Sequence, residues 1–234
     1  MTKSDYEGQG TPFTLPKVAG DDGVVHYRRY TTAKPLKGTV FYLHGNRGDM
    51  DRCECEIDFL LDRGYDVWTM DYRGFGHSIG TMSENALKED ASRVYGKINP
   101  RDPEGPLIIW GRSFGSGVAA SVAAKADQKP DLLILETPYW SLIDLAQQKC
   151  PIIPSVLFRY KLPVHEFVKS AGCPVHLLHG TRDEKINANA SDRLLELKSN
   201  SIEIKGHSIM GGMHNLRNAR TILDFEEKVD SILN

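Results

Sequence analysis

The sequence holds few cysteines, four in 234 residues, and their positions exclude the usual cysteine chemistries. Cys53 and Cys55 are the one close pair, and C-x-C is the spacing of neither a redox C-x-x-C nor a zinc knuckle. Four free thiols, buried or half-buried, are expected, with no metal and no other cofactor. Long apolar runs are also missing. The longest, "LIIW" and "LLIL", fall far short of the roughly 20 residues that span a bilayer. The opening "MTKSDYEGQGTPF" carries no apolar signal-peptide core, so the expectation is a cytoplasmic protein without an integral membrane segment. Charge of one sign is lacking too. Lys and Arg number 29 against 31 Asp and Glu, a net charge of −2, which offers no basic field for nucleic acid or an anionic membrane. No repeat or low-complexity tract breaks the chain. Its length suits one domain, residues 1–234, with a sizeable core.

What is present is an alternation of two patterns. Residues 13–18 and 24–31 are short β-prone runs around "AGDDG", which predicts an antiparallel hairpin. Six apolar runs follow: 39–45, 65–71, 106–111, 131–136, 174–180 and 201–206. Runs of this kind are buried on both faces, as in a parallel sheet covered by helices. Between them, 51–63 sets Cys53, Ile57, Leu60 and Leu61 on one helical face, and 84–98 sets Leu87, Ala91, Val94, Tyr95 and Ile98 on another. Residues 114–126, 188–198 and 215–232 read as three more helices. Alternating β and α predicts an α/β fold with a mostly parallel, doubly wound sheet. Ligands then bind beyond the carboxyl ends of the strands, so the chemistry is sought there.

One strand runs into Gly111-Arg112-Ser113-Phe114-Gly115 and then a helix. This is the setting of a G-x-S-x-G nucleophile elbow. The glycines remove Cβ atoms from a sharp turn, and the serine oxygen stands at a helix N-terminus, where the dipole favours developing negative charge. Another run ends in His44-Gly45-Asn46. The backbone N–H groups of Asn46 and Phe114 are the expected oxyanion hole, each such donor typically worth about 3 kcal/mol in the transition state. His44 precedes the serine and is expected to brace this loop.

A serine hydroxyl needs a histidine to take its proton and a carboxylate to orient that histidine. In chain order serine, acid, histidine, the acids at strand ends are Glu136, Asp183 and Glu184. Asp183, three residues past Gly180 in "HGTRDEKI", is preferred; Glu136 is the second candidate, and Glu184 is expected to point elsewhere. Among His165, His176, His179, His207 and His214, the loop position of His214 in "GGMHN" suits a base that must reach Ser113. His176 and His179, on a strand and at its end, are expected to be structural.

Residues 137–170 interrupt the rhythm. They are expected to form a small cap over the strand ends, with Tyr139, Trp140, Ile153, Leu157 and Phe158 walling an acyl pocket. The alternative is a packed excursion that only covers the core.

With "YLHGNRGD", "DYRGFGHSIG", "GRSFGSG", "HGTRDEKI" and "GGMHN" in this order, the chain resembles the α/β-hydrolase superfamily. More narrowly it is similar to Bem46-like serine hydrolases and to the serine-aminopeptidase and monoacylglycerol-lipase-like group. The resemblance implies a Ser113–Asp183–His214 triad and an oxyanion hole from Asn46 and Phe114. It also implies that Asp71, Arg73 and Gly74 shape the site rather than act in it. Met213 stands where such proteins often have glycine, and it is expected to crowd the loop. Arg112 is expected to make a buried structural contact. The function expected is hydrolysis of a carboxylic ester or thioester of a small to medium acyl group, through an acyl-enzyme. A peptidase or amidase of the same fold and a non-catalytic ligand receptor are the alternatives. The partner is a small-molecule acyl substrate, and the oligomeric state is not legible.

Overall fold

The computed structural model describes residues 10–46, 48–98, 105–150, 152, 154, 158–197 and 202–233. Among the described residues, eight strands form one sheet: β1 (Thr11–Thr14), β2 (His26–Tyr30), β3 (Gly38–Leu43), β4 (Tyr65–Met70), β5 (Leu107–Arg112), β6 (Leu132–Glu136), β7 (Val175–Gly180) and β8 (Ile204–Ile209). Their order across the sheet is β1-β2-β4-β3-β5-β6-β7-β8. β1 pairs antiparallel with β2, and β2 antiparallel with β4. The other pairs are parallel. The N-terminal hairpin and the mostly parallel sheet follow the sequence pattern.

Side chains alternate across the sheet, and the sequence fills both faces with apolar groups. In β3, Phe41 and Leu43 join the layer that includes Val118, Ala119 and Ala120. Val40 and Tyr42 join the opposite layer, with Ile57, Leu60 and Phe225. The helices are α1 (Glu54–Leu61), α2 (Glu84–Tyr95), α3 (Phe114–Lys125), α4 (Leu142–Lys149), α5 (Val164–Lys169), α6 (Asn189–Leu195) and α7 (Ile222–Leu233). α2 starts at a Ser83 cap whose hydroxyl accepts the Ala86 N–H at 3.1 Å. α3 lies close on the sheet because its inner face is small: a Cβ on Gly111 would press on Gly115 O and Ala119 Cβ. No helix among the described residues is long and apolar enough to cross a membrane.

Several boundaries differ from expectation, β1 running Thr11–Thr14 rather than 13–18, and two of them have a plain cause. The last strand runs Ile204–Ile209 rather than 201–206, in register with β7 through Val175↔Ile204 and Gly180↔Ile209. Pairing with the neighbour, not the local "SIEI" alternation, sets its position. The last helix begins at Ile222 rather than 215. Side-chain oxygens of Asn215 and Asn218 accept the N–H groups of Arg217 and Arg220, a local turn that competes with helix.

The stretch between β6 and β7 is divided in its packing. Leu162, Val164 and Val168 are buried in the main core. α4 hangs over the strand ends, tied by the Leu142 N–H to Lys161 O at 2.9 Å. Its Ser141 cap accepts the Asp144 N–H at 3.0 Å.

Candidate active site

The strand order reverses between β3 and β5. β4 lies on one side of β3, whereas β5 and all later strands lie on the other. A crevice opens at the carboxyl end of such a switch point. Gly45 and Asn46 follow β3 there, and Ser113 follows β5. Ser113 has φ 51°, a conformation rare for a residue with a Cβ. Its N–H donates to Glu136 O at 2.8 Å. Gly115 lets α3 start directly under the end of β3, since a Cβ there would meet Leu43 O and His44 O. A Cβ on Gly45 would lie 3.4 Å from Ser113 Cβ, so the β3 loop passes close beside the serine.

Ser113, His214 and Asp183 form one hydrogen-bonded chain. His214 Nδ1 lies 2.8 Å from Asp183 Oδ2, and His214 Nε2 lies 3.0 Å from Ser113 Oγ. Burial by itself would raise the pKa of the Asp183 carboxyl. Hydrogen bonds from His179, His214 and the Ile186 and Lys185 N–H groups outweigh it and hold the carboxyl well below the usual range. An ionised Asp183 only accepts, so Nδ1 of His214 donates to it. In the neutral imidazole Nε2 is then the acceptor, and the Ser113 hydroxyl donates to it.

The acid is itself held. Asp183 Oδ1 accepts the N–H groups of Lys185 at 2.8 Å and Ile186 at 3.0 Å. His179 Nε2 lies 2.9 Å from Ile186 O and 3.4 Å from Asp183 Oδ2. His179 is therefore structural, as expected, and it braces the acid. Glu184 Oε2 accepts the His214 backbone N–H at 3.2 Å, a contact the sequence did not disclose. The loops after β7 and β8 are stitched main chain to main chain, with the Arg182 N–H on Gly212 O at 2.8 Å. A Cβ on Gly180 would block that approach. Met213 is half exposed.

Glu136 is unavailable as an acid for His214. It is fully buried and accepts from Arg217 Nη1 at 2.6 Å, Arg217 Nη2 at 3.0 Å and Trp110 Nε1 at 3.1 Å. Arg112 Nε stands 3.2 Å from it. Burial would raise its pKa, but the two guanidinium groups prevail and keep it ionised. His44 is buried, with Nδ1 2.9 Å from Gly45 O and its ring against Tyr72. Asp71 accepts the Met50 and His77 N–H groups, and Arg73 pairs with Asp21 and Asp90. These residues shape the loops around the site.

A cleft of about 570 Å³ opens on Ser113 and His214. Asn46 and Phe114 line it, as do the apolar side chains of Tyr139, Leu142, Leu145 and Ile186. Phe114 is the first residue of α3, so its N–H has no partner within the helix. Arg52, Glu56, Arg112 and Lys185 are the charged residues of the lining. Of the predicted pocket residues, Tyr139 lines the cleft, whereas Trp140 and Phe158 do not. The Trp140 ring instead stacks on His165 at 4.3 Å between centroids and carries the Arg193 guanidinium at 4.2 Å. Ile153 and Leu157 lie outside the described residues. Leu142 and Leu145, which sequence reasoning did not assign to the pocket, sit one helical turn apart on α4.

A switch-point crevice with a serine on a strained strand-to-helix turn defines an α/β-hydrolase. Solved structures agree on the fold. A Pyrococcus furiosus esterase, PF2001, superposes with a TM-score of 0.76 at 17% identity, covering 100% of this chain and 93% of that one. A thermostable carboxyl esterase from Bacillus coagulans does so at 0.73 and 17%, covering 96% and 98%. Residues 34–158 match the family model of "Serine aminopeptidase, S33", and the chain belongs to that family. Lysophosphatidylserine lipase ABHD12 of Macaca fascicularis is 36% identical over 167 residues, 62% of this chain and 41% of that protein. Human "Protein ABHD12B" is 30% identical over 231 residues, 87% of this chain and 63% of that protein. The chain thus spans about half the length of the curated relatives it matches.

Proposed function

We propose that this protein is a serine hydrolase that cleaves the carboxylic ester of a single-chain acyl lipid or a similar amphiphile. The observation that carries the reading is the Ser113–His214–Asp183 chain opening on a cleft beside Asn46 and Phe114. His214 Nε2 takes the hydroxyl proton as Ser113 Oγ attacks the acyl carbon. The N–H groups of Asn46 and Phe114 receive the oxyanion, and Asp183 stabilises the imidazolium. His214 returns the proton to the leaving alcohol, leaving an acyl-Ser113. Water, deprotonated by the same histidine, then releases the acid. A thioester would follow the same course.

The lining of the cleft supports the amphiphile. Tyr139, Leu142, Leu145 and Ile186 suit an acyl chain, and the Lys185 ammonium, in the same lining, suits an anionic group on the substrate. Relatives named lysophosphatidylserine lipase point the same way. An aminopeptidase needs a free carboxylate for the substrate amine. Glu56, the acid among the described lining residues, is already held by Arg112 Nη1 at 2.5 Å.

Fluorophosphonate labelling with peptide mapping tests the mechanism: label should fall on Ser113 and vanish in Ser113→Ala. Turnover of lysophosphatidylserine above a neutral monoacylglycerol of equal chain length is the expected preference. A well-folded wild type that takes no label and cleaves neither ester would overturn the reading in favour of a ligand receptor.

A further inference from the structure

The loop between β8 and α7 carries His214, and its ties to the acid side are plain: Asp183, Glu184 and the Arg182 N–H all hold it. A base must also be held at a set distance from its nucleophile, which sits on a different strand. Glu136 stands between the two. Its main-chain oxygen accepts the Ser113 N–H at 2.8 Å, and its carboxylate accepts both Nη groups of Arg217, three residues past His214. Arg112 closes a ring. It is the residue before Ser113, the register partner of Glu136 across the β5·β6 pair, and its Nη2 lies 3.4 Å from Asn215 Oδ1, next to His214. Asn215 Oδ1 also accepts the Arg217 N–H.

We propose that Glu136, acting through Arg217 and Arg112, is the positioning residue that sets the separation of His214 Nε2 from Ser113 Oγ. This rests on the hydrolase reading above. Three observations point to positioning rather than to stability alone. First, Arg217, Glu136, Arg112 and Glu56 place two positive and two negative charges in or near the core. Buried ion pairs of this kind are often no better for stability than apolar packing of the same volume, and in some proteins they are kept for the geometry they specify. Second, Arg217 engages the carboxylate through a two-pronged fork, which fixes orientation as well as distance. Its guanidinium is buried against Phe225, 4.4 Å from the ring centre. Third, the residue after Glu136, Thr137, has φ 48°. It holds this strand end in an uncommon conformation through its N–H to Leu178 O at 2.7 Å. Glu136 touches neither the reacting serine oxygen nor the imidazole.

Arg217→Lys keeps the charge and loses the fork, and Asn215→Ala removes the exposed link of the ring. Each is compared with wild type for circular dichroism, fluorophosphonate labelling rate, and kcat and KM on p-nitrophenyl butyrate. The low-field proton resonance of the His214–Asp183 hydrogen bond is also recorded. The expected result for Arg217→Lys is a tenfold or greater loss of kcat and of labelling rate, with KM within twofold. The resonance is retained, because the base stays on its acid while it leaves its nucleophile. Asn215→Ala should lose two- to threefold in the same manner. A folded Arg217→Lys with wild-type kcat overturns the proposal, as does one in which KM rises and the resonance disappears, the mark of general loosening. Should Arg217→Lys fail to fold, Asn215→Ala decides, and an unchanged labelling rate overturns. Wild type labelled on Ser113 with unaffected variants removes this inference alone. Wild type without label or turnover removes the hydrolase reading and this one with it.

Discussion

Replacing Gly115 with alanine would drive a methyl group into the carbonyl oxygens of Leu43 and His44, both nearer than the 3.0 Å that Cβ atoms keep. These are main-chain atoms at the end of β3, so no side chain can swing aside. Overpacking a filled core costs about 1–3 kcal/mol, and a backbone obstacle puts this substitution near the top of that range. Alanine returns about 0.5–1 kcal/mol, because position 115 lies in α3 and glycine is the poorer helix former. The net loss is about 2 kcal/mol, a fall of about 4–8 °C in melting temperature for a chain of this size. Activity should suffer more than stability. The displaced strand end carries Gly45 and Asn46 towards Ser113, and a shift of about 1 Å in a positioned group can cost about 100-fold. Urea and thermal unfolding report the first effect, and fluorophosphonate labelling of the folded protein reports the second. Gly96→Ala is the control. Gly96 has φ −65° and a Cβ there meets only Ser92 O and Arg93 O, at 3.5 and 3.7 Å. It should be neutral or stabilising by up to about 1 kcal/mol. A Gly115→Ala protein that melts and labels like wild type would refute the argument that this glycine exists to let the helix start beneath the strand.

Asp183→Asn should leave the protein folded and lower kcat by about 10⁴-fold, as loss of the orienting carboxylate does in other triads. Because the Asp183 carboxyl is held below its ordinary range, its contribution is complete above about pH 4 and is lost as pH falls further. Acid titration of unfolding should therefore show a shallower loss of stability in Asp183→Asn than in wild type. His176 is pushed down to about 4 by burial, then by His207 and Lys205. It is neutral in the folded state and takes a proton more readily when unfolded, so stability should decline as pH drops from about 6.5 towards 4. In His176→Gln that decline should shrink, and identical pH–stability curves would contradict it. Leu145→Trp narrows the cleft at its apolar lining, so in a p-nitrophenyl ester series the preferred acyl chain should shorten while Ser113 labelling by a small fluorophosphonate persists. An unchanged chain-length optimum would place the acyl group elsewhere.

The parts that could be read from sequence are those fixed by neighbours in the chain. The elbow around Ser113 announces itself because both glycines lie within two residues of it, and the strands β3 to β7 because each is a short, mainly apolar run followed by a helical pattern. Asp183 and His214 were legible from their place after strand ends and from their order. Contacts made across the sheet were not. Glu136 stood at a plausible position for an acid, and only the convergence of residues 112 and 217 shows that its carboxylate is taken. The start of α7 was misplaced because Arg217 is drawn inward to that carboxylate while two asparagines turn the backbone. Trp140 belongs to the apolar insert expected to wall the pocket, yet it does not line the cleft. Its neighbours His165 and Arg193 come from later helices and turn it aside.

The order of the parallel strands has a consequence for synthesis. From β3 onward on one side, the sheet lays down β5, β6, β7 and β8 in the sequence in which they leave the ribosome. Each new strand has its template already in place, and domains begin to fold from the N-terminal part as they emerge. Ser113 is therefore seated early, Asp183 arrives with the end of β7, and His214, 101 residues after the serine, comes only when the edge strand has docked. A nascent chain can hold a formed elbow and still lack any group to accept its proton, so reactivity is the last property the protein acquires.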